Sequence, residues 1–261
     1  MRHSGERTTN TILFSLAGVG LAFFILPIAA LLIRMPWARA GEVATDGRIW
    51  QAFKISLIVS ISAVLLALVF GFPVAWVMTR CSSRAARFVR VIVLLPMVLP
   101  PIVGGVVLLA AFGTNSPIGQ LLESIGIRLP FSTAGAVLAV TFVSAPFMVI
   151  SLESGLRGLD RRLELAGATL GASRWMILRT LVLPALGPAI VGGVALTWAR
   201  ALGEFGATIA FAGNMPGRTQ TLPLAIFQAL ETDMDRALLI TAMLVLITGC
   251  LIVFVRSWRL R

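Results

Sequence analysis

The sequence predicts an all-α membrane protein with six transmembrane helices, and three observations carry that expectation. Of its 261 residues, 58% are hydrophobic and only 13% are charged, with a mean hydropathy of +0.95, a balance foreign to soluble domains. Six runs reach the length of about 20 apolar residues needed to cross about 30 Å of hydrocarbon. None alternates with period two, so helices rather than barrel strands must satisfy the backbone inside lipid.

The spans fall at 11–33, 52–79, 88–113, 133–152, 181–205 and 237–255. The first follows a basic start and precedes Ala38-Arg39-Ala40, a triplet resembling a signal-cleavage site. Its apolar run from Thr11 to Ile33 has 23 residues, beyond the about 7–15 of a signal core, so it is expected to stay as a span. The chain then divides into a tail and extra span at 1–45, a transmembrane body at 46–255 and a basic tail at 256–261. With the N-terminus in the cytoplasm, fourteen arginines face inward and seven basic residues face outward, Arg200 alone lying in the membrane. That bias predicts both termini in the cytoplasm.

A pI of about 11.7 raises the question of nucleic acid, but the charges flank spans instead of covering one soluble face. Anionic lipid headgroups are the expected partner, and no nucleic acid is. Arg80, Arg84, Arg87 and Arg90 form the densest cluster and read as a topology lock, or else as a lipid-specific site. Trp37, Trp50, Trp76 and Trp258 sit near span ends, where amphipathic rings anchor. Pro73, Pro96, Pro100, Pro101, Pro146, Pro184 and Pro188 predict bent helices whose freed carbonyls find other donors. Gly104-Gly105 and Gly192-Gly193 mark close contacts, between helices or between subunits.

The residue inventory excludes several chemistries. His3, in the tail, is the only histidine, so no Ser-His or Cys-His pair is available within the spans. Cys81 and Cys250 lack metal-ligand spacing and read as buried or interfacial thiols. Lys54, the only lysine, follows no glycine-rich phosphate loop, so the chain carries no P-loop ATPase. No metal and no cofactor of its own is expected.

The most informative stretch runs from Leu163 to Gly217. Leu159, Leu163, Ala166 and Leu170 make one apolar stripe on a helix that Asp160 caps and Gly171 ends, with Ala166, Gly167 and Ala168 supplying a side of little bulk. Such a helix either docks on a partner or lies flat on headgroups. The apolar run from Leu181 to Ala212 has 32 residues, about 48 Å as one helix, so it must break or tilt, with Gly203, Gly206 and Gly213 as the natural places. Arg200 and Glu204 share a helix face four residues apart. They are either a structural pair or part of an anion path, joined there by Gly206, Thr208, Asn214, Thr219 and Gln220.

This stretch resembles the cytoplasmic loop of ABC-importer permeases, whose pattern is Glu-Ala-Ala, three residues, Gly, nine residues, Ile, one residue, Leu-Pro. Aligned on Gly171 and Pro184, the triplet falls on Leu165, Ala166 and Gly167, the Ile on Leu181 and the last pair on Leu183-Pro184. The motif glutamate is thus Leu165, with Glu164 one place earlier. TWARALGEFGATIAFAGNMPGRTQTLPLAIF and LLPMVLPPIVGG are similar to the matching segments of molybdate permeases, the likeness covering about residues 46–255.

The resemblance implies a type I importer bundle whose loop at 153–180 holds a coupling helix, with Glu164, Leu165, Ala166, Gly167, Gly171 and Pro184 at the ATPase contact. It implies a homodimer in a bacterial inner membrane, two separate ATPase subunits that use the ATP, and an extracytoplasmic oxyanion-binding protein. Molybdate is the first expected cargo, then tungstate and sulfate. The alternative from another class, a proton-coupled carrier using Glu204, calls for an internal repeat that the halves do not display.

Overall fold

The computed structural model describes residues 2–81 and 83–259, with side chains for residue 10, residues 12–81, residues 84–250 and residue 253. His3, Trp258 and the tail at 256–261 therefore lie outside the described side chains. The order is α1 (Arg2–Arg34), a short 3-10 turn (Trp37–Arg39), α2 (Ala40–Thr45), α3 (Gly47–Arg80), α4 (Ser83–Val98), α5 (Pro101–Phe112), α6 (Pro117–Ser124), α7 (Thr133–Gly158), α8 (Arg161–Thr169) and α9 (Arg174–Ile177). A π-helical turn (Leu178–Val182) leads to α10 (Leu183–Ala185), α11 (Gly187–Leu202), α12 (Gly206–Ala212), α13 (Leu222–Thr232) and α14 (Met234–Arg259).

The helices form a bundle around α3 and α7. Ala52, Ser56, Ser60, Ala63, Ala67, Gly71 and Ala75 recur every three or four residues along α3 and are buried. Their small side chains let α7 pack close, and a Cβ added at Gly71 would stand 3.2 Å from Val149. Two of these serines also bind across the bundle. Ser60 Oγ accepts the Trp198 indole N–H of α11 at 2.9 Å, and Ser56 Oγ accepts the Leu222 N–H that opens α13 at 2.7 Å.

Among the described residues, three helices are long and apolar enough to cross a membrane unbroken: Ile12–Arg34, Gly47–Arg80 and Thr133–Gly158. Two more arise only if each of two bent pairs counts as one span, with bends of 118° between Arg84–Val98 and Pro101–Phe112 and of 64° between Arg174–Ala185 and Gly187–Leu202. The third span expected at 88–113 is thus bent, as its prolines predict, and breaks at Pro100-Pro101. Pro100-Pro101 cannot carry the helix through, since Pro101 offers no N–H and its ring meets the preceding turn. The sixth expected span, 237–255, falls within α14, whose side chains are described only to residue 250 and at Val253.

The Gly pairs serve contacts within the chain. A Cβ at Gly105 would sit 2.5 Å from Ala210 Cβ, and one at Gly193 would sit 2.8 Å from Met148 Sδ. Both cysteines are exposed rather than buried.

Candidate functional site

Three features along the bundle bear on function, and the first is a double break at its centre. α11 ends at Leu202, Gly203 leaves helical geometry, and α12 restarts at Gly206. A Cβ at Gly206 would stand 2.7 Å from Pro101 Cβ and 2.9 Å from Ile102 N, so the broken fifth segment meets the broken third one where both lose their backbone pattern. Only glycine permits that approach. Gly213, with φ of +74°, ends α12, a conformation that disfavours any residue with a Cβ.

Glu204 stands in this break, its side chain 1% exposed, paired at 2.5 Å with Arg200, whose side chain is 26% exposed. Its other oxygen accepts the Ala207 N–H at 2.7 Å and so caps α12. One carboxylate thus neutralises a cation and satisfies an orphan backbone donor where an unpaired charge would be costly. Thr208 is fully buried, and its hydroxyl has no hydrogen-bond partner among the described residues; the same holds for Asn214 Oδ1. Thr219 Oγ1 accepts the Met215 N–H at 2.9 Å and shapes the following loop. Gln220 is not with them: it donates to Gln228 Oε1 at 2.6 Å and lines a separate polar cavity.

The second feature is α8, at the end of the bundle where α3 finishes. Asp160 accepts the Arg162 N–H at 2.9 Å, and Gly171, at φ +83°, closes the helix with its N–H on Ala168 O, so both expected ends are found. Leu163, Leu165 and Leu170 are 57%, 67% and 87% exposed, and Ala166 is exposed beside them. Leu159 instead packs into the core.

Two residues of the expected contact set turn the other way. Glu164 forms an ion pair with Arg80 of α3, and a Cβ at Gly167 would meet Ile177 and Leu181 at 3.3 Å each. Both therefore join α8 to its own chain, and Gly167 offers no open face. Arg161 adds a bond to Thr79 O at 2.8 Å, while Arg80 stacks 4.6 Å over the Trp76 ring. Pro184 follows the π-helical turn, where the Leu183 N–H reaches back to Leu178 O. The wider turn accommodates a ring that would collide with the carbonyl four residues before it.

At the opposite end of α3 lies the third feature, a polar cavity of about 230 Å³ between the start of α3, α13 and the start of α14. Ion pairs surround it. Arg39 binds Asp233 at 2.8 Å and Asp235 at 3.2 Å, and Arg236 pairs with Asp46. These links were missed because each joins residues about 190 apart.

The family described as binding-protein-dependent transport system inner membrane component matches residues 69–259. The chain belongs to this family. Relatives of this inner membrane component include the molybdenum transport system permease protein ModB of Mycobacterium tuberculosis, 42% identical over 233 residues that cover 89% of this chain and 88% of that one. ModB of Escherichia coli is 45% identical over 184 residues, 70% of this chain and 80% of its own. The sulfate transport system permease protein CysT of Escherichia coli is 37% identical over 210 residues, 79% and 76% of the two chains. Among solved structures, a bacterial ABC transporter involved in the import of alginate superposes with a TM-score of 0.73 at 15% identity, covering 99% of this chain and 98% of that one. The MetNI methionine ABC transporter in an inward-facing form gives 0.61 at 20% identity, covering 88% and 97%. At such identities the likeness is one of fold, that of ABC importer permeases.

Proposed function

We propose that this chain is the permease subunit of an ATP-driven, binding-protein-dependent oxyanion importer, with molybdate as first cargo and sulfate as second. The cargo reading is supported by the ModB relatives, which match over 89% of the chain at 42% identity, with CysT behind at 37%. One observation carries the coupling: α8, capped at both ends, exposes Leu163, Leu165 and Leu170 at one end of the bundle.

Two copies would pack side by side in an inner membrane, termini in the cytoplasm, each offering α8 to a separate ATPase subunit that binds and hydrolyses the ATP. An extracytoplasmic binding protein would deliver the anion to the far end. Closure of the ATPases would drive the two α8 helices together. Because α8 is tied to α3 through Arg80–Glu164 and Arg161–Thr79 O, that push would tilt α3 and the α7 packed along it, switching the bundle between inward-open and outward-open states. In this reading Leu163, Leu165, Ala166 and Leu170 enter the ATPase, while Glu164, Gly167, Gly171 and Pro184 hold the docking helix in place. Arg200 and Glu204 brace the break, and Thr208 and Asn214 line the path with uncharged hydrogen-bonding groups that leave an ion free to move on.

The test is ATP hydrolysis by the chain reconstituted in liposomes with its ATPase and binding protein, the latter loaded with molybdate, tungstate, sulfate or nothing. Stimulation by molybdate-loaded protein is expected. Hydrolysis indifferent to every loaded receptor would overturn the proposal.

A further inference from the structure

We infer that the polar cavity at the end of α3 remote from α8 is an oxyanion-holding site built on Arg48. The inference rests on the importer reading for its place in transport, but not for the binding itself.

Charge decides the ligand class. Three ionisable residues line the cavity, Arg48, Asp233 and Arg236. Arg236 already has Asp46, and Asp233 already has Arg39 and the Arg236 backbone N–H at 3.1 Å. The Arg48 guanidinium has no hydrogen-bond or ion-pair partner among the described residues, only its backbone N–H being bound, to Asp46. The one uncompensated charge on the lining is therefore positive. A guanidinium presents a planar fork of donors suited to two oxygens of a tetrahedral dianion.

Neutral amides line the same cavity. Gln220, which is buried, gives its amide N–H to Gln228 Oε1 at 2.6 Å, and this orients Gln228 so that its own amide nitrogen remains to donate. Thr232, also on the lining, spends its hydroxyl proton on Gln228 O at 3.3 Å, so the amides and not this hydroxyl are left to donate. The space of about 230 Å³ admits an oxyanion with part of its water, and one guanidinium with amides holds it loosely enough for release.

The test uses the full chain with Cys81→Ser and Cys250→Ser, carrying Thr232→Cys, in nanodiscs without receptor or ATPase. Labelling rates are taken with a sulfonate-bearing and a trimethylammonium-bearing methanethiosulfonate, each normalised to its rate on a small free thiol. The anionic reagent should label about fivefold faster or more, a ratio that Arg48→Gln lowers toward one and Arg48→Lys largely keeps. Sodium molybdate or sulfate should slow labelling more than chloride at equal ionic strength, and only while Arg48 is present. Equal rates for the two reagents, no labelling by either, or slowing no greater than that of chloride would overturn the site. Receptor-stimulated uptake is measured separately on Arg48→Gln, where a raised KM with little change in kcat is expected. If labelling behaves as stated while no uptake occurs in the parent protein, the site stands and the importer reading falls.

Discussion

Arg80, the last residue of α3, and Glu164, in the first turn of α8, form an ion pair across 84 residues of sequence, with side chains 21% and 18% exposed. Arg80 also stacks on Trp76. The helix that presents leucines outward is thus fastened on its other side to the helix around which the bundle is built.

Breaking that fastening should separate hydrolysis from transport. Arg80→Glu or Glu164→Arg alone should cost about 1–3 kcal/mol and lower receptor-stimulated ATPase activity more than basal activity. The double exchange should restore much of the ratio, measured in proteoliposomes. Single variants with unchanged coupling would show that the pair only anchors α8.

The exposed face of α8 predicts the opposite pattern. Leu163→Asp or Leu170→Asp touches little of its own chain, so thermal stability should stay within about 0.5 kcal/mol of the parent. Affinity for the ATPase subunit should fall about tenfold or more, read by co-purification and by titration in detergent.

Glu204 carries two duties that substitutions can divide. Glu204→Gln keeps an oxygen for the Ala207 N–H but strands Arg200, whereas Glu204→Leu removes both partners. Thermal unfolding should show Glu204→Leu destabilised by about 1–3 kcal/mol more than Glu204→Gln. Equal losses would mean that the cap contributes nothing.

Contact between the two breaks leaves no room at Gly206. Gly206→Leu should force α12 away from Pro101 and Ile102, at a cost of about 1–3 kcal/mol or more, and should lower folded yield. Gly18→Leu, with nothing within 4 Å of the added Cβ, is the neutral comparison.

Acid should loosen the far end of the bundle. Asp233 is held below the ordinary carboxylate range, first by its bond from Arg39 and next by the Arg236 backbone N–H. A lowered folded pKa means that its contribution is complete above the ordinary aspartate value of about 3.9 and is lost as pH falls through the lower folded value. Thermal midpoints should therefore drop below about pH 4, and Asp233→Asn should remove part of that drop while lowering the midpoint at pH 7.

Much of this protein is written in local pattern. Apolar runs specify helices in lipid, because no other backbone arrangement at those lengths satisfies its own hydrogen bonds. Asp160 and Gly171 mark the ends of α8 by capping chemistry, the short separation of Arg200 and Glu204 announces their pairing, and Gly203 marks the break that carries Glu204 off the helix. The stripe of small residues on α3, spaced three and four apart, is equally local. By contrast, α13 lacks the end signals that mark the shorter α8, since Thr221 before it makes no side-chain cap bond.

Tertiary structure alone decided where these parts point. Glu164 and Leu165 are neighbours on one short helix, yet one is drawn inward by Arg80 and the other faces outward, and Gly167 turns to Ile177 and Leu181 because the chain folds back beneath it. The proline pair announces a break but not its 118° angle, which α5 adopts in packing against α12 and α7. Local sequence sets what a helix is and where it ends. Direction, partner and cavity depend on contacts between distant segments, whose energies no single stretch contains.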